Sequence, residues 1–400
     1  MIKSTLNCCF FLVLICLPVL LRGQDTVVPP AVVTDGTAVD QADAKPHPKL
    51  SLYLEKKRHS NELDGQINLR LTQASLGTTQ QYQATMNKIK GLREEKKNVA
   101  REILETAVDA FLEAPNQQKQ VEDDCIRYLR SLLGEQSTDG WFSPDKALSV
   151  AKQLTAAGIK NNHAYVYGAQ AAYAVEEFEQ AKTFLAAIAI EGATFDPSAI
   201  ARIEEAIEKW NRELRFRELD AKSVLPRVLF QTELGDFTVE LYENEAPNTV
   251  NNFVWLVEQK FYNGLFFFYC QPGQISMAGC KRGDGSTNAG YFIPDELTVP
   301  EIRHNFRGSL SMGNIIPNEG SSVFGILHQP MTQRDGKSTV FGRVVEGMDV
   351  IYKIPVISPT TIVTGDKPVK ILSATVVRKQ SHPYEPSMKL PLGGEPKDIK

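Results

Sequence analysis

The spacing of apolar residues changes once along this chain. From about Leu50 to Ala221 they return every three or four positions, and from Pro226 to about Gln380 every second position. A helix buries a stripe with a period near 3.6, whereas a strand buries alternate residues. One uniform architecture cannot satisfy both patterns. The 400 residues therefore divide into a helical domain, 50–221, and a β-domain, 226–380.

In the first domain Gln80 to Ala114 lacks proline, and Ile103, Leu104, Ala107, Val108 and Leu112 mark one amphipathic face. Val121 to Leu133 gives another helix. Ser143-Pro144-Asp145 places an N-cap and an N1 proline ahead of Lys146 to Ala157. His163 to Val175, Phe178 to Ile190 and Ser198 to Leu214 follow. Small residues at Gly168, Ala169 and Ala172, then Phe178 three places before Ala181, resemble a tetratricopeptide repeat over 143–190. Such arrays need about three units to bury their faces, and only two are found, so an ordinary helical hairpin is the other reading. His163 reads as a capping or packing residue. No catalytic constellation stands in this domain, which is expected to offer a surface to a protein partner.

Residues 1–23 read as a secretory signal: Met1-Ile-Lys3, then the apolar run Cys8 to Leu21, then Arg22-Gly23. About 14 apolar residues fall short of the roughly 20 that a membrane span needs. An uncleaved anchor is the alternative. Residues 24–49, rich in Pro, Ala, Val, Thr and Asp, read as a disordered linker, and the proline-rich 381–400 as a disordered tail. A net charge of −4 without a Lys/Arg-rich block gives no reason to expect nucleic acid. Cys125, Cys270 and Cys280 remain after the signal. Cys270 and Cys280 flank a Pro-Gly turn, as a disulfide or as two buried thiols. No spacing points to a metal, and no cofactor is expected.

The β-domain opens with the alternating runs Val228 to Leu234 and Phe237 to Tyr242, joined at Gly235-Asp236 as a hairpin, and a helix over Val250 to Gln259 follows. Leu234-Gly-Asp-Phe-Thr-Val-Glu-Leu-Tyr resembles the start of a cyclophilin. Phe261-Tyr-Asn-Gly264, Gly290-Tyr-Phe-Ile-Pro-Asp-Glu296, Gly308-Ser-Leu-Ser-Met-Gly-Asn314 and Asp335-Gly-Lys-Ser-Thr-Val-Phe-Gly-Arg-Val344 continue the resemblance in order, over about 155 residues. It implies an α+β multidomain chain: an all-α domain, then a closed eight-stranded antiparallel β-barrel capped by two helices. It also implies a peptidyl-prolyl cis-trans isomerase whose substrate, a proline-containing peptide or unfolded protein, lies on the outer barrel face. With the signal, that substrate is an exported protein in a bacterial periplasm or outside the cell.

The chemistry is rotation about an X-Pro amide, against a barrier of about 18–20 kcal/mol. A guanidinium donating to the proline nitrogen stabilises the twisted state selectively. In Gly264 to Gly279, GLFFFYCQPGQISMAG, aligned on Pro272-Gly273, the resemblance puts Tyr269 at the catalytic arginine position. Phe267 matches a family phenylalanine. Gln274 and Ile275 replace the pocket phenylalanine and methionine, and Met277 the peptide-orienting glutamine. Asn314 keeps the substrate-pairing asparagine, flanked by Gly313 and Ile315. Phe324 is kept, Gly325 replaces a pocket phenylalanine, Gln333 and Arg334 a tryptophan and leucine, and Ser338 a histidine. Two readings follow. One is an isomerase with a rewired site, in which Tyr269 or Arg334 donates to the twisting amide. The other is a non-catalytic scaffold binding peptides or proteins through the groove and the helical domain.

Overall fold

The computed structural model describes residues 47–75, 78–134, 142–188, 198–298, 301–314, 316–358 and 368–387. The expected signal, most of the linker and the end of the tail lie outside them. The helical part holds α1 (Pro48–Ala74), α2 (Thr79–Glu113), α3 (Lys119–Leu132), α4 (Pro144–Ala156), α5 (His163–Ala174), α6 (Phe178–Ala186) and α7 (Ser198–Asp220). Thr78 starts α2: its N–H donates to Gln81 Oε1 at 3.0 Å, as in a capping box. Pro144 at the first position starts α4. The spacing predicts an end at Leu214, yet α7 runs to Asp220. Its last turns are held because Glu213, Phe216 and Asp220 are buried against the second domain.

That domain contains β1 (Arg227–Thr232), β2 (Gly235–Leu241), α8 (Pro247–Glu258), β3 (Tyr269–Gln271), β4 (Ile275–Ala278), β5 (Ser309–Met312), β6 (Phe324–Leu327), a 3-10 turn (Thr332–Arg334), β7 (Val340–Glu346), α9 (Met348–Tyr352) and β8 (Ile371–Arg378). The strands form one antiparallel sheet in the order β3-β4-β6-β5-β7-β2-β1-β8. The expected closed barrel is not formed: the sheet is curled and open, because its end strands β3 and β8 share no ladder. What faces β8 is the irregular stretch ahead of β3. Gly264 N–H donates to Ile371 O (2.8 Å), Ile371 N–H to Leu265 O (2.8 Å), and Phe267 N–H to Val369 O (2.9 Å). The concave side encloses Phe230, Phe237, Phe253, Phe267, Phe324 and Phe341, which α8 and α9 complete. Ahead of Pro386, Tyr384 also enters this core, its hydroxyl donating to Glu243 Oε2 at 3.1 Å.

The two parts meet at the segment Arg303 to Arg307, between β4 and β5. The Arg303 side chain has 0% exposure. It lies between the rings of Tyr242 (3.9 Å) and Phe216 (4.2 Å), and meets Asp220 (2.6 Å), Glu213 (3.4 Å) and Glu245 (3.4 Å). Phe306 enters the helical core against Trp210, with ring centroids 4.9 Å apart. Arg307 forks onto Asp145 (3.1 and 2.8 Å), and its N–H donates to Glu176 Oε1 (2.8 Å). Removing the cation would leave Asp220 and Glu245 without the charge that faces them and Glu213 with Arg217 alone. Arg303→Ala is expected to lower the unfolding free energy by about 3–5 kcal/mol in a urea titration of the full chain. A loss below about 1 kcal/mol, the range of exposed pairs, would contradict this account of the junction.

Candidate functional site

Strand register decides which side chains share the outer face. Tyr269 pairs with Met277, Met277 with Gly325 and Gly325 with Ser311, so these four form one row across β3, β4, β6 and β5. Phe268 N–H also donates to Met277 O (3.0 Å). Two residues thus oppose one, as in a β-bulge, and Phe268 and Tyr269 both pack against Met277. Phe268, Cys280 and Val323 form one buried outer cluster, and Ile275, Leu327 and Met331 another. Tyr269 and Met277 pack against both. The outer face of this end of the sheet is covered by its own side chains.

Gly325 shows how closely. A Cβ placed there would lie 2.5 Å from Ile275 Cδ1 and 3.1 Å from its Cγ1. Ile275 therefore occupies the space that a side chain at 325 would take. The Tyr269 hydroxyl is also engaged, donating to Gln271 Oε1 at 3.0 Å. Asn314 directs its Nδ2 at both oxygens of Asp295 (2.9 and 3.1 Å). Ser338 is buried and shares a 2.6 Å hydrogen bond with Ser311. Gly313 is pinned by its N–H to Val323 O (2.8 Å), and Gln333 is exposed. Phe267 and Phe324 are wholly inside the concave core, out of reach of a ligand on the outer face. Ile315 lies outside the described residues.

Arg334 is the exception among these residues. No carboxylate among the described residues pairs with it, and its Nε is buried without a hydrogen-bond partner. Burial with no facing charge lowers its pKa below the usual guanidinium value. It ends the 3-10 turn that begins one residue after Met331, itself packed beside Ile275. Its neighbour Asp335 fixes that turn, accepting from Lys209 Nζ of α7 (3.0 Å), His304 Nδ1 (2.9 Å) and Asn305 N–H (2.8 Å).

Below the β3–β4 hairpin runs a buried polar chain that sequence reasoning missed. Gly273 N–H donates to His328 Nδ1 (3.1 Å), so the neutral ring carries its proton on Nε2 and donates to Ser276 Oγ (2.9 Å). Ser276 donates to Cys270 Sγ (3.3 Å), and Cys270 to Ile354 O (3.4 Å). Cys125, Cys270 and Cys280 are free thiols; burial pushes that of Cys270 up to about 12. On top of the same hairpin sits the helical domain. Phe142 packs on Tyr352 with centroids 5.0 Å apart, and a Cβ at Gly273 (φ +77) would meet its ring at 3.1 Å. The available signal was a lone His328 directly after the apolar Phe324 to Leu327.

A profile of the family described as cyclophilin type peptidyl-prolyl cis-trans isomerase matches residues 227–376. Peptidyl-prolyl cis-trans isomerase-like 1 of Aspergillus niger is 38% identical over 158 residues, spanning 38% of this chain and 95% of that protein. The chain belongs to the cyclophilin family. A peptidyl-prolyl cis-trans isomerase of Synechococcus elongatus is 39% identical over 119 residues, 30% of this chain and 80% of its own. Among solved structures, a cyclophilin type isomerase of Cryptosporidium parvum matches with a TM-score of 0.35 at 24% identity, covering 39% of this chain and 99% of its own. These cyclophilin matches cover well under half of the chain.

Two predictions follow from the site. Ile275→Ala alone is expected to cost about 2–5 kcal/mol through the cavity it opens. Gly325→Ala alone forces Ile275 aside. The double variant should be more stable than the two single effects summed, by at least about 0.5 kcal/mol in a double-mutant cycle. Additive effects would show that the two sites do not share one space. The second concerns His328, which burial holds down to about 3. An unfolded histidine titrates near 6.5. Between these values the unfolded chain binds a proton that the folded chain does not, so this contribution is complete above about pH 6.5 and is lost as pH falls toward 3. Glu176, raised by burial to about 7, acts oppositely: its contribution is present at low pH and lost as pH rises through that value. Comparison with His328→Gln isolates the histidine. Wild-type stability should fall more steeply on acidification, by up to about 1.4 kcal/mol per pH unit. Equal slopes would contradict the burial of a neutral ring.

Proposed function

We propose that this cyclophilin-family protein acts on exported proteins outside the cytoplasm as a binding scaffold rather than as a prolyl isomerase. The observation that carries the reading is the filled outer face. Ile275 occupies the space over Gly325, and Phe268, Tyr269 and Met277 cover the rest of the row. A proline ring would have to displace these groups before burying any surface of its own. The donor is weak as well. Tyr269 offers a neutral hydroxyl already bonded to Gln271; by analogy, removing one preorganised donor from an oxyanion site costs about 10²–10³ in rate. Partner proteins are then held by extended segments along the sheet and by the helical domain that rests on the Pro272-Gly273 turn. The apolar run Cys8 to Leu21 supports export, to a bacterial periplasm or the exterior.

A second reading has one specific observation behind it: the unpartnered guanidinium of Arg334 is suited to meet a twisting amide from the opposite wall. A prolyl-isomerisation assay on the full chain with a panel of X-Pro peptides separates the two. The scaffold reading expects rates indistinguishable from the spontaneous reaction for every peptide. An acceleration that Arg334→Gln abolishes and Arg334→Lys partly keeps would overturn it in favour of Arg334 as donor.

A further inference from the structure

The outer face at the β3–β4 end of the sheet has no charge of its own. The strands β3, β4, β5 and β6 contain no acidic or basic residue, and neither does the whole stretch from Gly264 to Gly279. Residues 331–338 border this face on the side of β5 and β6. Met331 packs with Ile275 and Leu327 at one end of the border, and Ser338 meets Ser311 at 2.6 Å at the other. Arg334 stands midway, its backbone N–H donating to Met331 O at 2.9 Å. Its side chain is half-buried, and its Nε has no hydrogen-bond partner among the described residues. Lys337, three residues on and exposed, has the same sign.

The nearest carboxylate in the chain is already taken. Between Glu319 and Glu346 the one acidic residue is Asp335. Its Oδ2 meets Lys209 Nζ (3.0 Å) and His304 Nδ1 (2.9 Å), and its Oδ1 accepts from the N–H and Nδ2 of Asn305 (2.8 and 3.0 Å). These partners belong to α7 and to the junction segment, so Asp335 serves the helical body. Met331 N–H donates to Asn305 O (2.8 Å) from the same side. The turn is thus held firmly from behind, while no acid meets its cation. A guanidinium that gives up part of its water without an opposite charge is disfavoured, and an incoming anion relieves this. Carboxylates suit it best, because two parallel N–H···O bonds match its planar fork. A partly covered pair is also screened less by salt than an exposed one.

We infer that Arg334 is a carboxylate-binding residue: the partner segment laid along the outer face carries an acidic side chain, Asp or Glu, that forks onto its guanidinium. The inference rests on the scaffold reading and adds to it the chemistry of the segment that is bound. Arg334 lies midway along its border rather than at an end, so it meets a side chain of a segment that passes by. An extended segment turns every second side chain toward the sheet, at steps of roughly 7 Å. One of these comes opposite Arg334. Its neighbours on the same side lie over the charge-free strands, where a second charge would find no partner. The preferred segment therefore has one acid flanked by uncharged residues.

The test uses the full chain and blocked hexapeptides of Ser, Thr and Val. One has a central Glu, one has Gln in its place, and a third is the Gln peptide with a free C-terminal carboxylate. Affinity is read by calorimetry. The Nε–H resonance of Arg334, assigned by its loss in Arg334→Lys, is followed in nitrogen-15 spectra. The Glu peptide is expected to bind roughly 10- to 100-fold more tightly than the Gln peptide and to shift that resonance. Arg334→Gln should abolish the preference, and Arg334→Lys, which keeps the charge without the fork, should retain part of it. Lys337→Gln should change it by less than about fivefold, as for an exposed pair. In a urea titration Arg334→Gln should be no less stable than the wild type, because it removes a charge that no protein group compensates. Equal binding of the Glu and Gln peptides overturns the inference and leaves the scaffold reading standing. A preference confined to the free C-terminal carboxylate, a preference that survives in Arg334→Gln, or no binding by any peptide also overturns it. The scaffold reading itself falls separately, through accelerated prolyl isomerisation, on which these proline-free peptides do not bear.

Discussion

Arg303 gives up all its contact with water, and a charge in that position must be met from several directions at once. Two aromatic rings and three carboxylates meet it, drawn from α7 and from the chain between β2 and α8. Its neighbours extend the tie. His304 and Asn305 hold Asp335, Phe306 fills the helical core, and Arg307 reaches Asp145. Five consecutive residues thus set where the 3-10 turn stands, and with it Arg334 and Met331. The rim of the outer face is positioned from the junction rather than from the sheet.

The outer face itself is governed by volume. A strand residue without a side chain leaves a hole, and protein interiors do not keep holes larger than a few atoms. Gly325 makes such a hole and Ile275, on the neighbouring strand, fills it. Phe268 is brought to the same side by the bulge opposite Met277 and closes the adjoining space with Val323 and Cys280. Once these side chains satisfy one another, a ligand competes with contacts already made. The family resemblance identifies the scaffold; this packing determines what the scaffold still admits.

Much of the architecture was legible in the sequence because periodicity is local. The helices from Gln80 to Ala174 and the first hairpin were found at nearly their observed bounds from apolar spacing, caps and the Gly235-Asp236 turn. What escaped is non-local. Whether β3 and β8 close a barrel depends on the backbone of residues 264–267, which no alternation reveals. The complementarity of Ile275 and Gly325 spans fifty positions, and the chain from Gly273 through His328 to Cys270 joins residues that only the register makes neighbours. Substitutions at the expected site positions were visible; their mutual packing was not. Phe142, on a helical connection with no site-like motif, became a contact of the Pro272-Gly273 turn only in three dimensions.

The long reach of the junction has a consequence for how the chain is made. Asp145 and Arg307 lie 162 positions apart, and Glu176 and Arg307 131 apart. Loop closure over such distances is slow, and elements synthesised first are the first able to fold. The helices up to α7 are complete before Arg303 emerges, and β8 comes later still. A finished helical body therefore waits with Glu213, Asp220 and the pocket for Phe306 already assembled. It serves as a template on which the second half is laid down. The order of assembly is thereby written into the direction of synthesis: the N-terminal half acts, in effect, as a tethered folding aid for the sheet that follows it.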